Sequence, residues 1–345
     1  MEREQLHMKN WVKQLIKLSI IITLGLLVYF NYDTIKIKLD SLFNSALNYA
    51  SEKGIIDIEG IGTFINDADL KKLTDSGITG DSLSFSSTYY PYYEMLDSNE
   101  KKVYKQVYAN AVELKDSFVP IVNITTSELK TVIYAINYDH PELFYLDTSY
   151  GYKYTEDNNC AQIILNYNST ANNITASKQA FNNEANKIIN GAKAYRSNYE
   201  REKYVHDALV KDVKYNSNSS LNQSAYSALV NKESVCSGYA RSFQYIMTEL
   251  GVPTYYVTGT STEGPHAWNL ISLSDGFYNV DVTFDDTTYS HRYFNLDEVS
   301  FSKNHTRTDI SVNLPNANGT KFLGYRKVKG YSNSVNSNTT SAELD

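Results

Sequence analysis

The chain has 345 residues, 42% of them hydrophobic, and carries 39 acidic against 32 basic side chains for a net charge of −7. That length accommodates a membrane anchor plus one or two globular domains, and the acidic balance argues against nucleic acid as the main partner. Two cysteines are too few for a disulfide scaffold.

The N-terminus reads as a membrane signal. Leu18 to Phe30 carries no charge, and the apolar stretch extends back to Trp11 through Lys13 and Lys17, whose long stems can snorkel. At ~1.5 Å per residue, Trp11 to Tyr32 is long enough to cross a bilayer core of about 30 Å. Arg3, Lys9, Lys13 and Lys17 flank it on one side, against Lys36 and Lys38 on the other. Residues 1–10 are therefore expected as a cytoplasmic tail, 11–32 as a single-pass transmembrane anchor, and the rest as extracellular. A cleaved secretory signal shares the basic start and short apolar run, but Asn31-Tyr32-Asp33 lacks the small residues of a cleavage site. Either reading exports the domain.

Residues 33–90 read as a juxtamembrane region. A short helix is expected over Leu39 to Glu52, followed by breaks at Gly54, Gly60, Gly62, Gly77 and Gly80 that leave the segment extended or mobile. Residues 91–185 are expected as a smaller α/β domain. A helix starts at Ser98 and runs through Val103, Val107, Ala111 and Leu114, and Thr126 or Ser127 caps a second that reaches Asn137. Leu143 to Tyr154 and Ala161 to Tyr167 look like strands joined by the polar Thr155 to Asn159 turn. A helix over Ala176 to Tyr195, with Phe181, Ala185, Ile188, Ile189 and Ala192 on its apolar side, leads onward.

Residues 186–325 hold the chemistry. Cys236 lies in Ser234-Val235-Cys236-Ser237-Gly238-Tyr239-Ala240, and Cys236, Ala240, Phe243, Met247 and Leu250 recur on one helical face until Gly251 and Pro253 stop it. A thiol opening a helix sits at the positive end of the macrodipole, which favours its thiolate as a nucleophile. Among six histidines, His266 in Gly264-Pro265-His266-Ala267-Trp268-Asn269 is best placed as a general base. A strand follows from Ala267 to Leu273, Asp275-Gly276 signals a hairpin, and Phe277 to Phe284 reads as the returning strand with Asp281 inside it, facing the neighbourhood of Leu270. Adjacent strands would let the Asp281 carboxylate hold the second imidazole nitrogen of His266. Taken singly, each residue has a structural use: a small buried hydrophobe, a hydrogen-bonded histidine beside Trp268, a turn cap. The ordered set explains all three together.

On these motifs the sequence resembles the bacterial transglutaminase-like proteins, which share a papain-like Cys-His-Asp arrangement. The resemblance runs from about Tyr204 to about Asp286. It rests on Ala225-Tyr226-Ser227-Ala228-Leu229-Val230, on Val235 to Phe243, on Leu250 to Gly259, on His266-Ala267-Trp268-Asn269 and on Tyr278 to Asp286. Phe284 stands where Trp is commoner, and Asp139-His140-Pro141-Glu142-Leu143-Phe144-Tyr145 looks like a stretch that often precedes such domains. The resemblance implies Cys236 as nucleophile, His266 as base and Asp281 as orienting acid. It also implies an α+β fold: a transglutaminase-like, papain-like core in which the Cys helix packs on an antiparallel sheet bearing His and Asp. The smaller α/β domain and the N-terminal transmembrane helix precede that core.

Tyr226 is a candidate donor to an oxyanion, with an aromatic core role as the alternative, and Trp268 is a candidate oxyanion or substrate contact. His206 sits in a helical pattern and reads as structural. Asp281, Asp285 and Asp286 with Thr283 are oxygen ligands at short spacing, but the run lacks the glycine and distal glutamate of a calcium loop, so no metal is expected, nor any cofactor. Cys160 reads as a free thiol. Thirty tyrosines, often paired as in Tyr89-Tyr90, Tyr92-Tyr93 and Tyr255-Tyr256, favour β-rich packing with wet tips over a stacking platform. Residues 326–345, rich in Ser, Asn and Thr, read as a flexible tail.

The expected function is extracellular thiol-dependent acyl transfer on protein or peptide amides at the cell surface, through a thioester. Transamidation and hydrolysis share these residues, so a cysteine protease is the first alternative. A non-catalytic interaction module on the same scaffold is the second.

Overall fold

A computed structural model describes residues 59–288 and 290–324. The expected anchor, the Leu39 to Glu52 helix and the C-terminal tail lie outside the described residues. Among the described residues, no helix is long and apolar enough to cross a membrane.

The chain enters with a strand, β1 (Glu59–Phe64), and a single helical turn, α1 (Asp67–Leu70). The strand falls in the glycine-broken stretch expected to be extended or mobile, and there Gly60 and Gly62 lie inside a paired strand rather than at breaks. It pairs in parallel with a later strand, and its glycines are the reason: a Cβ at Gly60 or Gly62 would lie 2.5 or 2.7 Å from the ring of Tyr150 or Tyr152. What reads locally as a breaker is a groove for two tyrosines.

Next come α2 (Pro91–Met95), α3 (Ser98–Val112), β2 (Ser117–Phe118) and α4 (Thr126–Asp139). Asp97 with Glu100 and Thr125 with Glu128 form capping boxes at α3 and α4. The α4 cap is thus Thr125, one residue before the expected pair, because Glu128 reaches back to the Thr125 N–H at 2.7 Å. Strands β3 (Leu146–Tyr154) and β4 (Cys160–Tyr167) complete a sheet of order β1-β3-β4-β2. The first strand of this hairpin starts at Leu146 rather than Leu143, since Leu143, Phe144 and Tyr145 are buried in the turns before it.

Helices α5 (Ile174–Ala192) and α6 (Asn198–Asp212) follow. A short parallel pair, β5 (Lys214–Tyr215) with β6 (Glu233–Ser234), then delivers the chain to α7 (Cys236–Glu249). A second antiparallel sheet is built from β7 (Thr254–Ser261), β8 (Gly264–Leu273) and β9 (Gly276–Val280). After α8 (Val282–Thr288) and α9 (Glu298–Phe301), β10 (His305–Arg307) returns to pair with β7, giving the order β10-β7-β8-β9. The architecture is α+β.

Two expectations change here. The returning strand ends at Val280, not Phe284, because the Asp281 Oδ1 accepts the Phe284 N–H at 3.0 Å and turns the chain into α8. The turn residues are Ser274 and Asp275, with Gly276 at φ +149 opposite Leu273. Val280 therefore faces Asn269, which puts Asp281 level with Trp268 rather than Leu270. In addition, α7 is buried around most of its circumference, Arg241, Ser242 and Gln244 included. It crosses β7 and β8 on one side and is covered by α5 and α6 on others.

One continuous core joins the elements of both sheets. Tyrosine hydroxyls stitch its polar seams: Tyr92 donates to the Tyr256 carbonyl at 2.5 Å, Tyr255 to Thr88 at 3.0 Å, and Tyr89 to Gly251 at 3.2 Å. Helix α4 sits along β7, and its C-terminal carbonyls accept from the Cys helix, Tyr138 from Gln244 at 2.8 Å and Asn137 from Arg241. These bonds satisfy carbonyls that a helix end leaves open.

Candidate active site

Cys236 is the first residue of α7. Val235 precedes it in extended conformation and no side chain caps the helix, so the first-turn N–H groups are left to other partners. Gly238 makes this entry possible: a Cβ there would lie 1.8 Å from Ser234 Oγ and 2.8 Å from the Ser224 carbonyl. The Cys helix can lie against the 222–234 segment only with glycine at that position.

The strand β8 brings His266 to the same place. Asn269, three residues on, donates to the Ala240 carbonyl at 2.9 Å and to Tyr255 at 3.2 Å, which locks β8 against both α7 and β7. His266 Nε2 lies 2.7 Å from Asp281 Oδ2, and Cys236 shares the cavity wall with its ring, close enough to raise the imidazole pKa. With Nε2 held by the carboxylate, Nδ1 is the nitrogen left for the thiol. Trp268 is buried, lies parallel to the His266 ring at 6.3 Å and donates its indole N–H to Asn279 at 3.2 Å. Phe284 covers the imidazole at 4.6 Å.

Burial works to lower the His266 pKa. The Asp281 charge and hydrogen bond, with the smaller contribution of Cys236, outweigh it and push the pKa up to about 10. For Asp281, complete burial pushes upward and the two histidines beside it win, bringing it to about 2. Cys160 is a contrast: a buried free thiol on the far sheet, pushed up to about 12 by burial, its Sγ turned to the Gln162 carbonyl at 3.4 Å.

The second histidine on Asp281 is His305, which sequence reasoning passed over. From β10 it presents Nε2 at 3.1 Å to the same Oδ2, while Nδ1 meets Asn304 Oδ1 at 2.9 Å. It is buried and stacks on Phe301 at 4.0 Å. Nothing local marks it, since only the pairing of β10 with β7 brings it to the site.

Cys236 and His266 open into a cavity of about 530 Å³ between α7, α4, β3 and the β7–β8 hairpin. Tyr138, Asn222, Gln223, Arg241, Tyr256 and Asp309 share its walls. Gln223 is a side-chain amide in the cleft that the sequence did not single out. Tyr226 is elsewhere: its ring packs on Phe144 at 5.0 Å and does not line the cavity. Trp268 does not line it either; it backs His266 from within the core.

Among the described residues, two His/Asp/His groups have donor atoms within 4.8 Å of one another, His266-Asp281-His305 and His206-Asp207-His291. In the first, the imidazoles and the carboxylate bond one another. In the second, Lys203 Nζ lies 2.5 Å from Asp207, a fixed cation competing with any metal ion. His206 Nε2 is spent on Asp285 at 3.1 Å, in line with its structural reading, and Asp286 accepts from the Tyr239 hydroxyl at 2.7 Å.

Residues 182–282 match a family model described as the transglutaminase-like superfamily, and this stretch carries Cys236, His266 and Asp281. No curated protein matches the chain. Among solved structures it is similar to one described as "Crystal structure of a TGase", at 14% identity and a TM-score of 0.28, over 48% of this chain and 50% of that one. It is also similar to one described as "a Putative Cysteine Protease from Cytophaga hutchinsonii", at 20% identity and a TM-score of 0.25, over 29% and 37% respectively. The chain thus spans half or less of the length of these structures.

Proposed function

We propose that this chain is a thiol-dependent acyltransferase acting on protein or peptide amides. The observation that carries the proposal is Cys236 set on the wall of one cavity with His266, whose imidazole is bonded to Asp281. Cys236 passes its proton to His266 Nδ1 as Sγ attacks the carboxamide carbon, and Asp281 steadies the resulting imidazolium through Nε2. The oxyanion is met by N–H groups at the uncapped start of α7, with Gln223 as a side-chain donor in the same cleft. As the tetrahedral intermediate collapses, His266 returns the proton to the departing ammonia or amine, leaving a thioester on Cys236. A primary amine then takes the acyl group to give an isopeptide bond, or water takes it to give hydrolysis. In either case His266 removes the proton of the incoming group. The apolar stretch Trp11 to Tyr32 supports a substrate at the outer face of a membrane.

The test is incubation of the full-length protein with a glutamine-bearing protein and a labelled primary amine, beside a Cys236→Ala control. Amine incorporation identifies transamidation. New fragments without incorporation identify a protease, and conversion of glutamine to glutamate a deamidase. Absence of all three, in a protein whose Cys236 alkylates no faster than Cys160, overturns the proposal.

A further inference from the structure

Arg241 is the one guanidinium that lines the cavity of Cys236. It is 8% exposed. Burying a charge is costly unless it is paired, and a buried arginine ordinarily meets a carboxylate. Among the described residues, no carboxylate oxygen lies within 4.0 Å of this guanidinium. Its ring partner is Tyr256, 4.4 Å beneath it, and its hydrogen bond is one Nη1 contact to the Asn137 carbonyl.

The remaining N–H groups are not sealed in. The buried polar atoms without a partner include the Arg307 Nε but no nitrogen of Arg241, whose side chain lines both the Cys236 cavity and the smaller one beside it. The Tyr256 hydroxyl is fixed by Ser237 Oγ at 2.8 Å, and Asn137 lies in the last turn of α4, so the plane of the fork is set from two sides before any ligand arrives. Two acids are near enough to matter. Asp309 lines the cavity at its exposed rim, where water screens it and Thr308 Oγ1 donates to it at 3.0 Å. Asp147 is buried in a smaller adjoining cavity that Arg241 also lines, and its Oδ1 accepts from Ser149 N and Oγ at 2.9 and 3.1 Å.

We propose that Arg241 and Tyr256 form a carboxylate-binding subsite of the Cys236 cleft, so that the preferred substrate is a peptide amide bearing a carboxylate one or two residues from the reacting carbonyl. This rests on the acyl-transfer reading of Cys236. The spacing follows from the helix: Arg241 is five residues beyond Cys236, about 7.5 Å along the axis, and extended peptide covers about 3.3 Å per residue. An acidic side chain and a free C-terminal carboxylate present the same planar pair of oxygens to the fork.

Three N-acetylated dipeptides separate the sources: glutamine followed by glutamate with an amidated end, glutamine followed by alanine with a free carboxyl end, and the same with an amidated end. Equilibrium binding is measured to the full-length Cys236→Ala protein, which turns nothing over, and to versions of it that also carry Arg241→Gln or Arg241→Lys. One or both carboxylate peptides should bind at least about tenfold more tightly than the neutral one, the factor of a charge-assisted hydrogen bond. That preference should vanish with Arg241→Gln and survive in part with Arg241→Lys, which keeps the charge and loses the fork. Equal binding of all three peptides, a preference that persists in Arg241→Gln, or no binding at millimolar peptide overturns the subsite. If Arg241→Gln does not fold, the loss is read from Arg241→Lys. In the native protein, the ratio of iodoacetate to iodoacetamide rates at Cys236 gives a separate reading. A ratio that added acidic peptide does not lower more than added neutral peptide also overturns the subsite. Slow labelling of Cys236 by both reagents, with the peptide preference intact, overturns the acyl-transfer reading and leaves the subsite standing.

Discussion

Asp281→Asn removes the charge that holds His266 while keeping a side chain of the same shape. In the native site Asp281 lies at about 2 against an ordinary 3.8, and His266 at about 10 against 6.5. At ~1.4 kcal/mol per tenfold change these displacements correspond to about 2 and about 5 kcal/mol. They differ for physical reasons. The Asp281 figure is what remains after complete burial has pushed the other way, and the carboxylate is shared with His305, whereas the His266 figure also contains the Cys236 contact. The population of the thiolate–imidazolium pair follows the basicity of His266, so alkylation of Cys236 at pH 7 should slow by roughly 10²- to 10³-fold. The assay is trace iodoacetamide on the full-length protein from pH 5 to 10, read by peptide mass spectrometry with buried Cys160 as internal reference. In the native protein the imidazolium is lost only as pH rises through about 10. In the variant, burial is opposed only by the smaller Cys236 contribution, and this limb moves down by several pH units. Labelling at pH 7 within threefold of native, in a variant with an unchanged melting temperature, would refute the reasoning. The pair also links to stability. The His266 share is full below pH 6.5 and lost as pH rises through about 10, while the Asp281 share is full above 3.8 and lost as pH falls through about 2.

His305→Phe keeps the stack on Phe301 and removes one donor from Asp281. Cys236 alkylation should slow by about fivefold, a net hydrogen bond of about 1 kcal/mol, and a rate unchanged within error would make His305 mere packing. Gly259→Ala would set a Cβ 2.1 Å from the Thr306 carbonyl and 2.6 Å from Trp268, prising β10 from β7. Urea denaturation should show a loss of about 1–3 kcal/mol, and a change below ~0.5 kcal/mol would contradict the packing account. Burial raises Glu202 to about 8 from 4.5, with Asn295 bonding Oε2 at 3.0 Å and no partner for Oε1. The unfolded chain ionises it earlier, so stability should fall as pH rises from 4.5 to 8. Glu202→Gln should flatten that slope and stabilise by on the order of a few kcal/mol at pH 8; parallel pH dependences in the two proteins would count against it.

Short-range features were the legible ones. The start of α3 at Ser98 was read correctly and that of α4 to within two residues, whereas the capping boxes of Asp97, Thr125 and Ser197 went unnamed although such capping is complete within one turn. The apolar spacing from Cys236 to Leu250 revealed a helix, but not that polar Arg241, Ser242 and Gln244 would be buried with it. Those side chains are buried because α4, β7 and the 222–234 segment close over them, which no periodicity encodes. Gly60 and Gly62 failed as signals for a related reason. Their role is to admit Tyr150 and Tyr152 from a strand about ninety residues later. The strand end at Val280 was misplaced because Phe277 to Phe284 is apolar enough to continue, and the turn is forced by one carboxylate bonding the Phe284 N–H.

By itself the sequence determined which residue types were available and in what order: a thiol at a helix start, a histidine on one arm of a hairpin and an aspartate on the other. Those assignments rest on local spacing and turn chemistry, which act over a few residues. Only the tertiary structure decided which atoms meet. The order β10-β7-β8-β9 carries His305 onto the carboxylate that holds His266, and the packing of α7 against α4 buries Arg241 at the wall of the cleft. Such encounters depend on chain closure over tens of residues and on the desolvation that closure brings.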